Sequence, residues 1–152
     1  MLGTRLIILI LFFAFALSAL AQDADLARGE EIARTKCDTC HTLRNAGKPV
    51  VGFLAGGKVL GSVASHNLTP DPSGIPYFDE KLFFEALREA KVGARKLKPV
   101  MLPVVKNLSD DDLRAVFAYL KTIPPVQHRV DNTEPPTFCK LCKQRHGAGD
   151  RN

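Results

Sequence analysis

The chain has 152 residues, 45% of them hydrophobic, with 21 basic and 16 acidic side chains and a formal net charge of +5. This length suits one domain with a single core and a tail. The basic side chains are spread along the sequence without an Arg/Lys block, which excludes the charge pattern typical of nucleic-acid-binding proteins. The mild positive charge instead favours partners with acidic surfaces.

The first 21 residues have the features of a secretory signal peptide. Arg5 supplies a positive start, an unbroken apolar run covers residues 6–17, and an Ala-Leu-Ala cleavage site ends at Ala21. The apolar run is shorter than the roughly 20 residues of a membrane-spanning helix. We therefore predict cleavage after Ala21 and a periplasmic or secreted protein, with an uncleaved N-terminal anchor as the alternative.

A Cys-x-x-Cys-His motif, formed by Cys37, Cys40 and His41, is the most informative feature of the remaining chain. This pattern is the attachment site of a c-type haem. Two intervening residues span roughly one helical turn, which spaces the thiols for thioether bonds, and the adjacent imidazole can bind the iron. A disulfide, half of a zinc site or a thioredoxin-like redox pair are the alternatives, but the last needs a βαβ setting that is not readable here. The sequence therefore predicts one covalent haem c with His41 as an axial ligand.

Three helices are predicted along the chain. The first covers residues 25–41 and ends in the haem motif, and Gly29 in its middle indicates close approach of another helix. The second begins at Asp79 and has one apolar stripe. The third begins at Ser109, with Asp112 three residues later in a capping-box position.

The connections between these helices are long. Residues 45–65 are rich in glycine and predict a loop with a short hairpin, and residues 67–74 are dense in turn-forming side chains. Residues 95–103 contain two prolines and predict an extended stretch. Because no long strand pattern is present, we predict an all-α domain with three main helices and long loops packed around one haem.

The iron needs a second axial ligand opposite His41, and Met101 is the best candidate. It is the only methionine left after removal of the first residue, and it lies in a loop stiffened by prolines. The competing side chains are those of His66, His128 and His146. His/Met ligation raises the reduction potential and closes both faces of the iron, which suits electron transfer. An open sixth position would instead indicate a peroxidase-like or small-ligand-binding protein.

This arrangement resembles class I cytochromes c, and most closely the small cytochrome domains of periplasmic dehydrogenase subunits. Those domains carry an Asn-Ile-Thr-Pro-Asp loop, and residues 67–71 here are Asn-Leu-Thr-Pro-Asp. Their Gly-Arg-x-Leu-x-Pro-x-Met-Pro segment resembles residues 94–101, although Leu102 follows the methionine and Ala94 replaces the glycine. The resemblance covers about residues 25–125.

The resemblance implies a cytochrome c fold in which the first and last helices cross, with Gly29 against Tyr119. It implies haem-propionate contacts from Asn67 and Arg95, for which a turn residue and a solvated cation are the alternatives. It also implies an electron carrier and not an enzyme. One electron would pass through the haem edge near Cys40 to a redox protein with an acidic docking surface, such as a membrane-associated oxidase or dehydrogenase.

The cytochrome domain is predicted to cover residues 22–127, and residues 128–152 form a C-terminal tail. The tail begins with a linker rich in proline and polar residues. One alternative function is therefore a haem subunit whose tail docks onto a larger dehydrogenase or oxidase complex.

A second Cys-x-x-Cys pair, Cys139 and Cys142, lies in this tail and is followed by Lys143 instead of histidine. In an oxidising compartment this pair predicts a disulfide. A zinc site with His146 and His128, a second haem with Lys143 in the proximal position, and a reactive thiol pair remain open.

Overall fold

The computed structural model describes residues 22–61, 63–92 and 95–130, with two short strands beyond them. Its α-helices are α1 (residues 22–32), α2 (Asp38–His41), α3 (Glu80–Arg88), α4 (Leu102–Val105) and α5 (Asp110–Leu120). The all-α prediction with three main helices, α1, α3 and α5, is confirmed. No helix in these described ranges is long and apolar enough to cross a membrane. The predicted signal peptide and the second cysteine pair lie outside the described residues.

Helix α1 crosses α5 at Gly29, as the sequence predicted. A Cβ atom at Gly29 would lie 2.1 Å from the Ala115 carbonyl oxygen and 2.9 Å from Tyr119 Cβ. Only a glycine lets the two backbones approach this closely. After the crossing, α1 continues through a π-helical turn, Ala33–Cys37, into α2. The π turn had no signal in the sequence.

The core lies between α3 and α5. Phe83 and Phe117 stack with ring centroids 4.8 Å apart, and Leu113 and Leu120 are fully buried. The apolar stripes predicted for both helices face each other here. Arg88 at the end of α3 donates hydrogen bonds to backbone carbonyls of the α4–α5 connection, which fixes the two helices relative to each other.

Both predicted helix starts are confirmed by their capping hydrogen bonds. Asp79 Oδ1 accepts from the Leu82 N–H at 2.8 Å. At α5, Ser109 Oγ accepts from the Asp112 N–H at 3.0 Å and Asp112 Oδ2 accepts from the Ser109 N–H at 2.8 Å, which completes a capping box. Arg28 on α1 reaches the same carboxylate, with Nη2 and Oδ1 2.6 Å apart.

We expect Asp112→Asn to weaken the fold in a pH-dependent way. Hydrogen bonds from Ser109 and the nearby Arg28 guanidinium lower the pKa of Asp112 below its usual value. A lowered folded-state pKa stabilises the protein above the unfolded pKa of about 3.9, and this contribution is lost as the pH falls through the folded value. The variant should lose about 1 kcal/mol at pH 7 in denaturant unfolding.

The deficit of Asp112→Asn should shrink as the pH falls below the unfolded pKa of about 3.9 toward the lower folded pKa, because the wild-type carboxyl then loses its charge. Asp111→Asn is the matched control, because Asp111 lies in the same helical turn but bridges only the exposed Arg114. A deficit that stays constant down to pH 3 would contradict the assignment of the effect to the ionised carboxylate.

The strands of the described residues pair into small two-stranded antiparallel sheets within the connections: β1 (Arg44–Asn45) with β2 (Lys48–Pro49), β3 (Val59–Leu60) with β4 (Val63–Ala64), β5 (Lys91–Val92) with β6 (Arg95–Lys96), and β7 (Pro136–Phe138) with β8 (Arg145–Gly147). The glycine-rich region thus holds two hairpins where one was predicted.

The predicted extended stretch near Met101 was wrong in its second half. Residues Pro99–Met101 form a 3₁₀ turn that leads directly into α4. The prolines explain this, because Pro99 and Pro103 both occupy first-turn positions, where a missing N–H costs no helical hydrogen bond.

Candidate haem site

An apolar pocket lies between α2, α3, α4 and α5, with an empty volume of about 920 Å³ including its open mouth. The apolar stripes of the two main helices line it, with Phe83, Ala86 and Leu87 from α3 and Leu113, Val116 and Leu120 from α5. The loop between β4 and α3 closes a third side with Leu68, Ile75 and Phe78.

His41 lies at the C-terminal end of α2, lines this pocket and is 6% exposed. Its Nδ1 is 2.8 Å from the carbonyl oxygen of His66. Since a carbonyl only accepts, Nδ1 carries the proton and Nε2 keeps a lone pair that can bind a metal. Burial lowers the pKa of His41 below its usual value, which keeps the imidazole neutral.

The two thiols of the motif differ in their surroundings. Cys37 lines the pocket from the π turn and is 8% exposed, whereas Cys40 is half-buried. Both are free thiols. Burial, with smaller contributions from Cys40 and Asp38, raises the pKa of Cys37 to about 11, so this sulfur is protonated at neutral pH.

The backbone of the motif is held from outside by two cations. Lys58 Nζ donates to the Thr39 carbonyl at 2.7 Å, and Arg44 forms a 2.6 Å ion pair with Asp38. These contacts tie the first two hairpins to the motif, and they fix the position of the residues between the cysteines.

Met101 lines the same pocket as His41. It lies at the end of the 3₁₀ turn, directly before α4. Of the competing histidines, His66 also lines the pocket, whereas His128 bonds the Ala55 carbonyl through Nδ1 at 2.7 Å. The side chain of His146 is outside the described part of the chain. The placement of His41 and Met101 is consistent with His/Met ligation.

The predicted propionate contacts remain predictions. Asn67 borders the pocket and is 1% exposed, but its amide hydrogen-bonds within the protein: Nδ2 donates to the Val126 carbonyl at 2.8 Å and Oδ1 accepts from the Thr69 N–H at 2.9 Å. Arg95 belongs to β6, and its side chain lies outside the described residues.

The residues present fit a c-type haem. The pocket combines apolar walls, a neutral buried imidazole with an available nitrogen, the Cys37 thiol and a thioether, and the second thiol of the motif, Cys40, lies next to His41 in the sequence; these are the groups that attach and ligate such a haem. The apolar character of the walls also suits a large macrocycle.

Two features of the site were missed by sequence reasoning. The His66 carbonyl that accepts from His41 is a backbone atom, so no side-chain pattern marks it. The segment after α5, whose backbone carbonyls accept hydrogen bonds from Asn67, carries one sequence signal, Pro124-Pro125. This signal predicts the end of a helix but not where the following residues pack.

This pocket and motif define a small helical haem-binding protein, and comparison with known sequences agrees. A family described as cytochrome C oxidase, cbb3-type, subunit III matches residues 24–120. The chain belongs to this family. It contains a cytochrome c domain, as the sequence predicted, and a domain of this kind implies a single c-type haem.

Several curated proteins are similar to this chain. It is 41% identical over 109 residues to the cytochrome c subunit of the quinone alcohol dehydrogenase of Gluconobacter oxydans (strain 621H), covering 67% of this chain and 23% of that subunit. It is 32% identical over 131 residues to the gluconate 2-dehydrogenase cytochrome c subunit of Pantoea cypripedii, covering 83% and 30%. It is also 32% identical over 112 residues to cytochrome c2 of Pararhodospirillum photometricum, covering 65% and 97%.

The predicted resemblance to dehydrogenase cytochrome subunits is thereby confirmed. The chain spans less than a third of each of those two dehydrogenase subunits, but nearly the whole of the cytochrome c2. The similarity therefore identifies a cytochrome c domain, and some of the relatives belong to enzymes.

Proposed function

We propose that this protein is an exported electron carrier in which Cys37 and Cys40 attach the haem and His41 and Met101 are its axial ligands. The observation that carries the proposal is the presence of a neutral, buried imidazole and a thioether in one apolar pocket. When bound, the haem supplies reversible one-electron chemistry at its iron. With His41 and Met101 both bound to the iron, no coordination site would be left for a substrate, and the chain itself would act as a carrier and not as an enzyme.

The side chains around the pocket would set the properties of the site. The His66 carbonyl orients the His41 ring and makes its Nε2 a stronger donor. The apolar walls from α3 and α5 exclude water, and thioether ligation by Met101 favours a high reduction potential. These effects suit a carrier that accepts electrons readily.

The optical spectrum of the purified holoprotein tests this proposal. The ferric protein should show a methionine charge-transfer band, and the ferrous spectrum should not change when carbon monoxide is added. A high-spin ferric spectrum, or a ferrous spectrum that shifts with carbon monoxide, would show an open iron and replace the carrier with a ligand-binding or peroxidase-like protein.

We also propose that the redox partner has an acidic docking surface and belongs to the dehydrogenase or oxidase class. Val92 and Leu97 line the pocket, and three lysines lie beside them in the sequence: Lys91, which is paired with Glu89 at 2.7 Å, Lys96 and Lys98. Several relatives are named as dehydrogenase subunits, which supports that class. Electron transfer measured by stopped flow should slow as salt screens the attraction. A rate independent of salt would contradict the acidic surface.

Export with cleavage after Ala21 completes the proposal, since thioether attachment to such motifs takes place outside the cytoplasm. The intact mass of the holoprotein should equal that of residues 22–152 plus one haem. A mass that includes residues 1–21 would show an uncleaved anchor. Two missing hydrogens would report a disulfide between Cys139 and Cys142.

A further inference from the structure

The segment after α5, residues 124–130 (the strap), crosses two loops and hydrogen-bonds to both. The Val126 N–H donates to Thr69 Oγ1 at 3.1 Å, and the His128 N–H donates to Ser73 Oγ at 2.9 Å. The His128 ring also bonds the Ala55 carbonyl. The strap therefore joins the loop around Ala55 to the loop around Thr69, and it lies beyond the residues that the family comparison matches.

The same two loops hold His41. The Gly56 N–H donates to the His41 carbonyl at 2.7 Å, directly after Ala55. The His66 carbonyl accepts from His41 Nδ1 at 2.8 Å, directly before Asn67. The loops are bonded to each other as well, with the Leu68 N–H donating to the Leu54 carbonyl at 2.9 Å. The backbone and the ring of His41 are thus both fixed by segments that the strap covers.

The Asn67 side chain links the strap to the backbone beside the His66 carbonyl, which accepts the hydrogen bond from His41. Its Oδ1 accepts from the Thr69 N–H and hydroxyl at 2.9 and 2.8 Å. Its Nδ2 donates to the Val126 carbonyl at 2.8 Å, to Ser73 Oγ at 3.1 Å and to the His128 carbonyl at 3.3 Å. An amide is suited to this position, because it accepts on one side and donates twice on the other.

We propose that Asn67 is a positioning residue for the proximal ligand. Through its amide, the strap fixes the backbone at His66, and the His66 carbonyl in turn sets the orientation and donor strength of the His41 imidazole. The proposal rests on the proposed role of His41 as an axial ligand. It gives the Asn67 side chain a role within the protein, in place of the propionate contact implied by the family resemblance.

The Asn67→Asp variant tests the proposal in the holoprotein. A carboxylate has the same shape but no N–H, so it would face the carbonyls of Val126 and His128 without a hydrogen bond. The His41 Nδ1 proton, observed by NMR in the ferrous protein, should exchange with water roughly tenfold faster, and the reduction potential should shift. The optical spectrum should remain low-spin.

Ser109→Ala is the control, because it removes the cap of α5 and lowers stability without touching the Asn67 network. It should leave the Nδ1 proton exchange and the potential unchanged. If Asn67→Asp only lowers stability, as this control does, Asn67 is structural and the proposal fails. If the potential changes through the ionisation of a propionate while Nδ1 exchange stays the same, the propionate contact is correct and the proposal fails.

Ser73→Ala decides the question if Asn67→Asp does not fold. It removes the hydroxyl between Asn67 Nδ2 and the His128 N–H but keeps the amide, so Nδ1 exchange should accelerate by a smaller factor, about threefold. Unchanged exchange in this variant would overturn the proposal. The wild-type NMR spectrum separates a failure of this proposal from a failure of the proposed function. If it shows no signals of an iron-bound His41, the assignment of His41 as an axial ligand is itself wrong.

Discussion

Met101→Ala is expected to open the iron to external ligands. The ferric methionine charge-transfer band should disappear completely, the ferrous protein should bind carbon monoxide, and the reduction potential should fall. The physical reason is the loss of the thioether that lies in the pocket with His41, since alanine offers no donor and a methionine ligand raises the potential. Optical spectra and a redox titration measure all three changes.

Val100→Ala is the matched control for Met101→Ala. Val100 precedes Met101 in the same 3₁₀ turn and is 45% exposed, so its truncation leaves the pocket intact. Its spectra should match those of the wild type. If the charge-transfer band survives in Met101→Ala, the sixth ligand lies elsewhere. If the band is lost but carbon monoxide does not bind, another side chain has replaced the thioether, and His66 is the candidate that lines the pocket.

Gly29→Ala is expected to cause the largest loss of stability. A Cβ atom would meet the Ala115 carbonyl carbon at 2.5 Å and its oxygen at 2.1 Å, and a backbone carbonyl cannot move aside by changing rotamer. Overpacking of this kind costs about 3 kcal/mol or more, while alanine regains about 1 kcal/mol of helix propensity. The net loss, at least about 2 kcal/mol, is measurable by denaturant unfolding of the holoprotein.

Gly52→Ala is a suitable comparison for Gly29→Ala. The three atoms nearest to a Cβ at Gly52 all belong to the Val126 side chain, the closest at 3.0 Å, so the clash is milder than the one with a backbone carbonyl at Gly29. The loss of unfolding free energy should therefore be smaller than that of Gly29→Ala. A Gly29→Ala protein as stable as Gly52→Ala would mean that α1 and α5 do not cross in close contact at this point.

The sequence predicted those parts of the site that depend on neighbouring residues. The Cys-x-x-Cys-His motif, the Asp79 cap and the Ser109–Asp112 capping box each act within a few residues, so their chemistry is visible in the sequence. Gly29 was informative because a mid-helix glycine without a compensating contact costs stability. These local signals were enough to give the fold class and His41, whereas Met101 was identified by elimination as the only methionine left after residue 1.

The remaining features depend on contacts between distant parts of the chain. Asn67 was interpreted through a family motif, but its hydrogen bonds go to Val126 and His128, some 60 residues later. The carbonyl that accepts from His41 belongs to His66, and any residue could supply it. Pro99 before α4 and Pro103 in its first turn fit an extended chain as well as a helical turn, and only the tertiary structure distinguishes the two.

The burial of Cys37 has a consequence for how the protein is made. As a free thiol in the closed fold, Cys37 is only 8% exposed and has a pKa of about 11, so little of it is the reactive thiolate. The α1–α5 crossing that closes the domain joins residues from near the two ends of the fold, and it can form only after almost the whole domain has been delivered. Under the proposed attachment of haem at Cys37, the covalent step would therefore be favoured on an open chain, before this crossing forms. The expected order for the proposed protein is export, attachment and then closure, and a chain that closes too early would load haem more slowly.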